Sequence, residues 1–239
     1  MSKNKLIPTP FDGYTFTALY VPAIIITVPA MMLLSLVEAA QIQGLFKHAG
    51  LFLIVKNVGL SIISVVFLTY VVRAFGKYGI ELFLFRDGLR FPTTEMLLWK
   101  THLLSEERKK QLYAKIKTDF GLQLCNKDEE SSDEQEARLR AKDAVGQIRL
   151  KVGPGVRTKQ YNIHYGLFRN LAGGTPLMLT LAIFALIFVP GNLARIISWG
   201  YIIASVLYGI ICLPLLRHMG SHYAEYLFTE YLGRKPTNA

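Results

Sequence analysis

Four apolar runs constrain this chain more than any other feature. A helix needs roughly 20 mostly apolar residues to cross the hydrocarbon of a bilayer. Thr15 to Val37, Leu51 to Val72, Pro176 to Val189 (extended backwards by Leu171 to Thr175) and Ile196 to Leu216 each meet or approach that length. Phe11, Tyr14, Phe16 and Tyr20 lead into the first run, where aromatic rings suit the membrane interface. Arg73 stops the second run, and Arg217 with His218 stops the fourth. With 51% of its 239 residues hydrophobic, the chain is too apolar for an ordinary soluble domain of this size. The first run also resembles a secretory leader, with Val37-Glu38-Ala39 as a cleavage-like triplet. It is longer than a leader's apolar stretch, so it reads as a span.

The expected fold class is a mainly all-α integral membrane protein. It has four transmembrane helices arranged as two hairpins, around a central, mostly helical cytoplasmic domain. Orientation follows from basic residues, which accumulate on the cytoplasmic side of membranes. Of 27 lysines and arginines, 19 lie between Arg73 and Arg169, while Lys47, Lys56 and Arg195 alone fall on the opposite side. The expected layout is therefore a cytoplasmic N-tail (1–14), a first hairpin (15–72), a cytoplasmic domain (73–171), a second hairpin (172–217) and a cytoplasmic C-tail (218–239). Thr175-Pro176 reads as the start of the third span, with Pro at the first helical position. Gly173-Gly174 reads as a joint before it, and Pro22 and Pro29 read as kinks in the first.

Local signals divide the central segment. Asp87-Gly88 marks a turn. In Phe91-Pro92-Thr93-Thr94-Glu95 a threonine is the expected helix cap. Ser105-Glu106-Glu107 opens a helix with acids near its positive end. Leu112, Ile116 and Phe120 form its apolar stripe, and Gly121 ends it. Residues 126–136 are acidic and read as an exposed loop, closed by a Ser131/Glu134 capping box. The next helix, to about Val152, puts Ala137, Ala141, Ala144, Val145, Ile148 and Val152 on one face and Arg138, Lys142 and Arg149 on another. Gly153-Pro154-Gly155 breaks it. Residues 159–171 read as an amphipathic helix leading back to the membrane.

The net charge of +10 favours anionic partners such as lipid headgroups, nucleotides or nucleic acid. Arg86, Arg90, Arg138, Lys142 and Arg149 form the candidate anion site, since planar guanidinium groups bind phosphate with paired hydrogen bonds. The plainer alternative is juxtamembrane charge that sets topology and touches acidic lipids. The lysine and following helix of a phosphate loop are missing after Gly153-Pro154-Gly155. Asn57, Ser61 and Ser64, at helical spacing, with Glu38 at the outer end of the first span, are candidate pore-lining groups in an oligomer. Hydrogen bonding to neighbouring helices is the plainer alternative there. His218, His222 and Glu225 share a helical face, but no second ligand cluster joins them, so no metal and no cofactor are expected. His102, His164 and His218 are the few candidates for an enzyme acting on lipid, and no nucleophile–base pair or carboxylate pair accompanies them. The two cysteines do not form a disulfide framework.

The order of hairpin, cytoplasmic domain and hairpin, with Phe91-Pro92-Thr93-Thr94-Glu95 and Tyr165-Gly166-Leu167-Phe168-Arg169-Asn170-Leu171, resembles small membrane effectors of bacterial anti-phage defence. The membrane subunit of Hailong-like systems, encoded beside a nucleotidyltransferase, is the type it looks like. The resemblance covers layout and transfers no functional residue. It implies a homo-oligomeric, channel-like effector in the bacterial inner membrane, with a cytoplasmic face that responds to a nucleotide or short oligonucleotide. A non-conducting anchor that recruits a cytoplasmic partner is the competing expectation.

Overall fold

A computed structural model of the chain describes residues 13–45, 50–86, 88–153 and 155–234, with side chains for all of these except 34–45, 50–58, 60 and 61. Every regular element among the described residues is helical. A π-helical turn, Thr15–Tyr20, runs into α1 (Val21–Leu45), and α2 (Gly50–Ala74) runs through a second π-helical turn, Phe75–Glu81, into α3 (Leu82–Phe85). Then come α4 (Pro92–Leu97), α5 (Glu106–Phe120), α6 (Lys127–Ser132), α7 (Glu134–Val152), α8 (Val156–Phe188) and α9 (Asn192–Gly233). Among the described residues, four stretches are long and apolar enough to cross a membrane: Thr15–Leu33, Ile62–Phe85, Val156–Phe188 and Asn192–Gly233. The chain is a multi-pass membrane protein.

Two compact units divide the residues. One contains Met1–Ile80 and Gly166–Leu213, the other Glu81–Tyr165 and Pro214–Ala239. In the first unit, Ala23 and Ile26 of α1, Leu68 and Val72 of α2 and Met178 of α8 form a buried cluster, with Tyr201 of α9 packed against it. Small residues permit this approach, because helices in lipid associate by close packing rather than by escape from water. A Cβ on Gly173 would stand 2.6 Å from the Gly76 Cα and 2.7 Å from the Val72 carbonyl oxygen, and one on Gly174 would collide with Ile26. Asn170 is fully buried, and its amide donates to the Ala18 carbonyl at 2.6 Å, which satisfies one polar group inside the π-helical turn. On α9, Ser198, Ser205 and Cys212 recur every seventh residue on the buried face. Ile196, Trp199, Ile203, Val206 and Ile210 form an exposed apolar stripe suited to lipid.

Two local expectations are corrected here. The third span does not begin at Thr175-Pro176, because α8 is one helix of 33 residues with Pro176 inside it. The Thr175 hydroxyl donates back to Leu171 O at 2.8 Å, as a residue within a helix does. Gly173-Gly174 is accordingly a contact surface rather than a joint, and residues 159–171 belong to the same helix as the span. Proline is tolerated in a membrane helix because neighbouring groups satisfy the backbone it frees.

The second unit has a larger core. Leu112 and Ile116 of α5, the alanine–valine–isoleucine face of α7 from Ala137 to Val152, and Ala224, Leu227, Phe228 and Tyr231 of α9 are all buried in it. The end of α9 therefore supplies core side chains, where the sequence suggested a separate C-tail. The apolar faces expected for α5 and α7 are the ones buried, and Ser105, Gly121 (φ +68°) and Gly153 (φ +61°) stand at the expected helix ends. The acidic stretch 126–136 is not a loop. Asn126 and Glu129 form a reciprocal capping box that opens α6, and Asp133 caps α7. Ser131 is spent inside α6, donating to Lys127 O. Phe91, not a threonine, is the residue before α4. Thr94 instead donates to Gly88 O at 2.8 Å and ties down the preceding turn.

Two buried charges hold the connection between α4 and α5. Lys109, 2% exposed, donates to Leu98 O at 2.5 Å and also to Thr101 O. Glu130, 4% exposed, accepts from the backbone N–H groups of Trp99 (2.7 Å) and Lys100 (2.9 Å). Burial pushes the Lys109 ammonium below its ordinary pKa.

Candidate anion-binding cleft

The site grows from a turn. The helix Leu82–Phe85 ends at Arg86, whose backbone is left-handed (φ 45°, ψ 60°) and whose N–H returns to Leu82 O at 2.9 Å. Glycine is the usual residue at such a helix end, because a side chain in this conformation crowds its own backbone. Arg86 is the one non-glycine residue with positive φ among those described. Hydrogen bonds from Gly88 N and Arg90 N to Phe85 O, and from Leu89 N to Arg86 O, close the turn. Beneath it Phe85 and Phe91 meet edge-on with ring centres 4.7 Å apart, and Tyr165 packs on Phe91 at 5.4 Å. The turn is thus a fixed platform rather than a slack connection.

The platform faces the start of α7. Arg86, Leu89, Arg90, Glu134, Gln135 and Arg138 line an open cleft of about 320 Å³. That volume lies at the small end of known ligand sites, roughly 300–1,000 Å³. Arg138 forms the floor. Its Nη1 donates to Leu89 O (2.7 Å) and to Glu95 Oε1 (2.6 Å), and its Nε donates to Glu134 Oε1 (2.7 Å). Burial disfavours the charge on Arg138, but the hydrogen bonds to Glu95 and Glu134 outweigh it and its pKa rises. Glu134 also pairs with Lys100 at 2.5 Å. Hydrogen bonds from Lys100 and Arg138 hold the Glu134 carboxyl down at about 2. Arg86 and Arg90 are exposed and have no ion-pair partner among the described residues, whereas the Arg138 charge beneath them is already paired.

The five expected anion-site residues therefore separate into three roles. Arg86 and Arg90 stand on the rim. Arg138 is inside the cleft but already hydrogen-bonded, so it positions the turn through Leu89 O as much as it offers charge. Lys142 and Arg149 do not line the cleft. The Lys142 stem passes over Gly88, where a Cβ would lie 3.7 Å from its Cε. The Arg149 guanidinium sits 5.7 Å from the Phe91 ring centre and 5.5 Å from that of Tyr223, covering both faces as a cation–π contact. Leu89, Glu95, Lys100, Glu134 and Gln135 were not read from the sequence as part of an anion site, Glu134 being expected instead in a capping box with Ser131. The i, i+4 spacing of Glu134 and Arg138 was a usable signal for one pair.

Elsewhere the expected sites are less developed. The side chains of Glu38, Asn57 and Ser61 lie outside the described residues, and Ser64 is half-buried on α2. His218 and His222 meet edge-on at 4.5 Å, and Glu225 lies 3.8 Å from His222 Nδ1. Among the described residues no group of three His, Cys, Asp or Glu side chains is placed to hold a metal ion. His164 packs edge-on to Tyr161 at 6.4 Å, and His102 is exposed. The positive end of α8 is filled from within. Glu230 accepts from Arg157 N (3.0 Å) and from the Thr158 hydroxyl (2.7 Å), leaving no place there for an outside anion. No protein-family model, no curated protein and no solved structure matches this chain.

Proposed function

We propose that this protein is a membrane effector that binds a small phosphate-bearing anion in the cleft between Arg86, Arg90 and Arg138, and that several copies open an ion path when the ligand binds. The observation that carries the reading is Arg86. It occupies a strained conformation that glycine adopts freely, exposed at the rim of a cleft and with no ion pair among the described residues. Backbone strain of this kind concentrates where side-chain placement matters. The distribution of lysine and arginine supports a cytoplasmic position for this unit and both termini, with the spans as two hairpins. The same helices, α8 and α9, contribute residues to both compact units, which gives ligand binding a covalent route to the spans. The resemblance in layout to Hailong-type membrane subunits points to a nucleotide or short oligonucleotide, a bacterial inner membrane and a nucleotidyltransferase partner.

Proteoliposomes test this. With inorganic triphosphate or adenosine triphosphate added on the cleft side, reconstituted protein should pass ions, and R86A/R90A should not. No flux at ligand concentrations that saturate the cleft removes the channel from the reading.

A second reading is a non-conducting anchor that presents the cleft and recruits a soluble partner. The wholly apolar exposed stripe of α9 favours it, since a lipid-facing helix needs no aqueous path. Ligand binding without flux, together with capture of one soluble protein by the full-length chain, selects this reading.

A further inference from the structure

We infer that Glu134 is a built-in competitor for the cleft, displaced by ligand, so that the site selects anions bearing two or more negative charges and recruits Lys100 as an additional contact. The inference rests on the cleft being an anion site.

The geometry separates a permanent partner of Arg138 from a removable one. Glu95 holds Arg138 Nη1 at 2.6 Å, and their side chains are only 23% and 11% exposed. Glu134 holds Nε at 2.7 Å but is 49% exposed, and its other partner, Lys100, is 43% exposed. Glu134 is free to turn away without unravelling α7, because the cap of that helix is Asp133, which accepts from Glu136 N at 3.0 Å. A phosphate group resting on Arg86 and Arg90 shares the cleft with the Glu134 carboxylate, and like charges brought into one small cleft repel. Rotation of Glu134 outward relieves that repulsion and frees both Arg138 Nε and Lys100 for the ligand. A monoanion only exchanges one negative charge for another. A pyrophosphate-like dianion or polyanion replaces the carboxylate and still has charge left for the rim.

The test uses full-length protein in detergent, with dimethyl phosphate as the monoanionic probe and inorganic pyrophosphate as the polyanionic one. Trp99 adjoins Lys100, so a Trp199→Phe background leaves it as the single tryptophan reporter. Wild type should prefer pyrophosphate by about ten-fold or more, the order of one charge-assisted hydrogen bond. Glu134→Gln should tighten dimethyl phosphate about ten-fold and narrow that preference. Pyrophosphate should change Trp99 emission in the wild type and barely in E134Q, where Lys100 is already released. A general gain of positive charge would tighten both probes equally and leave Trp99 unchanged by either, and that result overturns the inference. Lys100→Met should weaken pyrophosphate but not dimethyl phosphate, and Glu134→Ala should repeat E134Q. If wild type binds pyrophosphate in an Arg86-dependent way while E134Q leaves the preference unchanged, the Glu134 inference falls alone. If neither probe binds wild type or E134Q, the cleft reading falls with it.

Discussion

Arg86→Gly separates function from stability. An L-residue in the left-handed helical region costs roughly 1–2 kcal/mol. Glycine escapes that cost but returns roughly 0.5–1 kcal/mol through the greater freedom of its unfolded chain. With Arg86 at φ 45° and its side chain exposed, little packing offsets the difference. The variant should be more stable by about 0.5–1 kcal/mol, a rise of about 1–4 °C in midpoint for a chain of this length. Losing one arginine–phosphate contact, worth about 1.5–3 kcal/mol, should weaken anion binding about ten- to a hundred-fold. Arg86→Ala is the control: it keeps the strained backbone, loses the same charge, and should show the binding defect without the stability gain. In the Trp199→Phe background, thermal unfolding followed by Trp99 fluorescence, alongside pyrophosphate titration, reads both quantities on one sample. If R86G is less stable than wild type and binds as well, Arg86 is a structural cap and the argument for the cleft is wrong.

Other substitutions probe the scaffold. Gly173→Ala should destabilise the membrane unit by about 1–3 kcal/mol or more through overpacking against Gly76 and Val72. Gly200→Ala, where nothing lies within 4 Å of the added Cβ, should be nearly silent in the same detergent-melting assay. Lys109→Met should cost about 1–3 kcal/mol, because the Leu98 and Thr101 carbonyls lose a buried donor; equal melting curves would contradict the clamp. Glu230→Ala should cost about 1–2 kcal/mol by uncapping α8, and Gly155→Ala should do similar harm, since a Cβ there would come within 2.6 Å of the Glu230 carboxyl carbon. The folded-state pKa of Glu134 is depressed to about 2. Its stabilisation is therefore present above the ordinary carboxylate value, near 4.3, and is lost as pH falls towards 2. Because the side chain is half exposed, the change should stay below about 1 kcal/mol. E134Q should flatten that part of the acid-stability curve.

What could be read directly from residues was periodic. The apolar faces of α5 and α7 repeat at helical spacing, and Ser105, Gly121 and Gly153 mark three of their four ends, so local rules and packing agree there. Long apolar runs likewise announced helices able to cross a membrane, because lipid leaves the backbone few alternatives. The misreadings came where two local rules compete. Thr175-Pro176 has the form of a helix start, yet in α8 the helix simply continues. Gly173-Gly174 has the composition of a joint, but its lack of side chains serves the approach of Gly76. The acidic stretch 126–136 looked like a loop; it is mostly exposed, as expected, but Asn126 and Asp133 divide it into two capped helices. The end of α9 looked like a tail, because one helix alone does not reveal that Ala224, Leu227 and Phe228 complete a core built from α5 and α7. The cleft was half legible. Charge pointed to Arg86, Arg90 and Arg138, but no glycine announces the left-handed backbone at Arg86, and the capture of Arg138 by Glu95 spans 43 residues of sequence, beyond any local pattern.

The most direct measurement is a calorimetric titration of inorganic triphosphate into the full-length, detergent-solubilised protein and its R86A/R90A variant, at low and at physiological salt. Saturable binding at one site per chain, weakened by salt and absent from the variant, is the predicted result. Equal binding by both proteins, or none by either, contradicts an anion receptor at the Arg86–Arg90 rim.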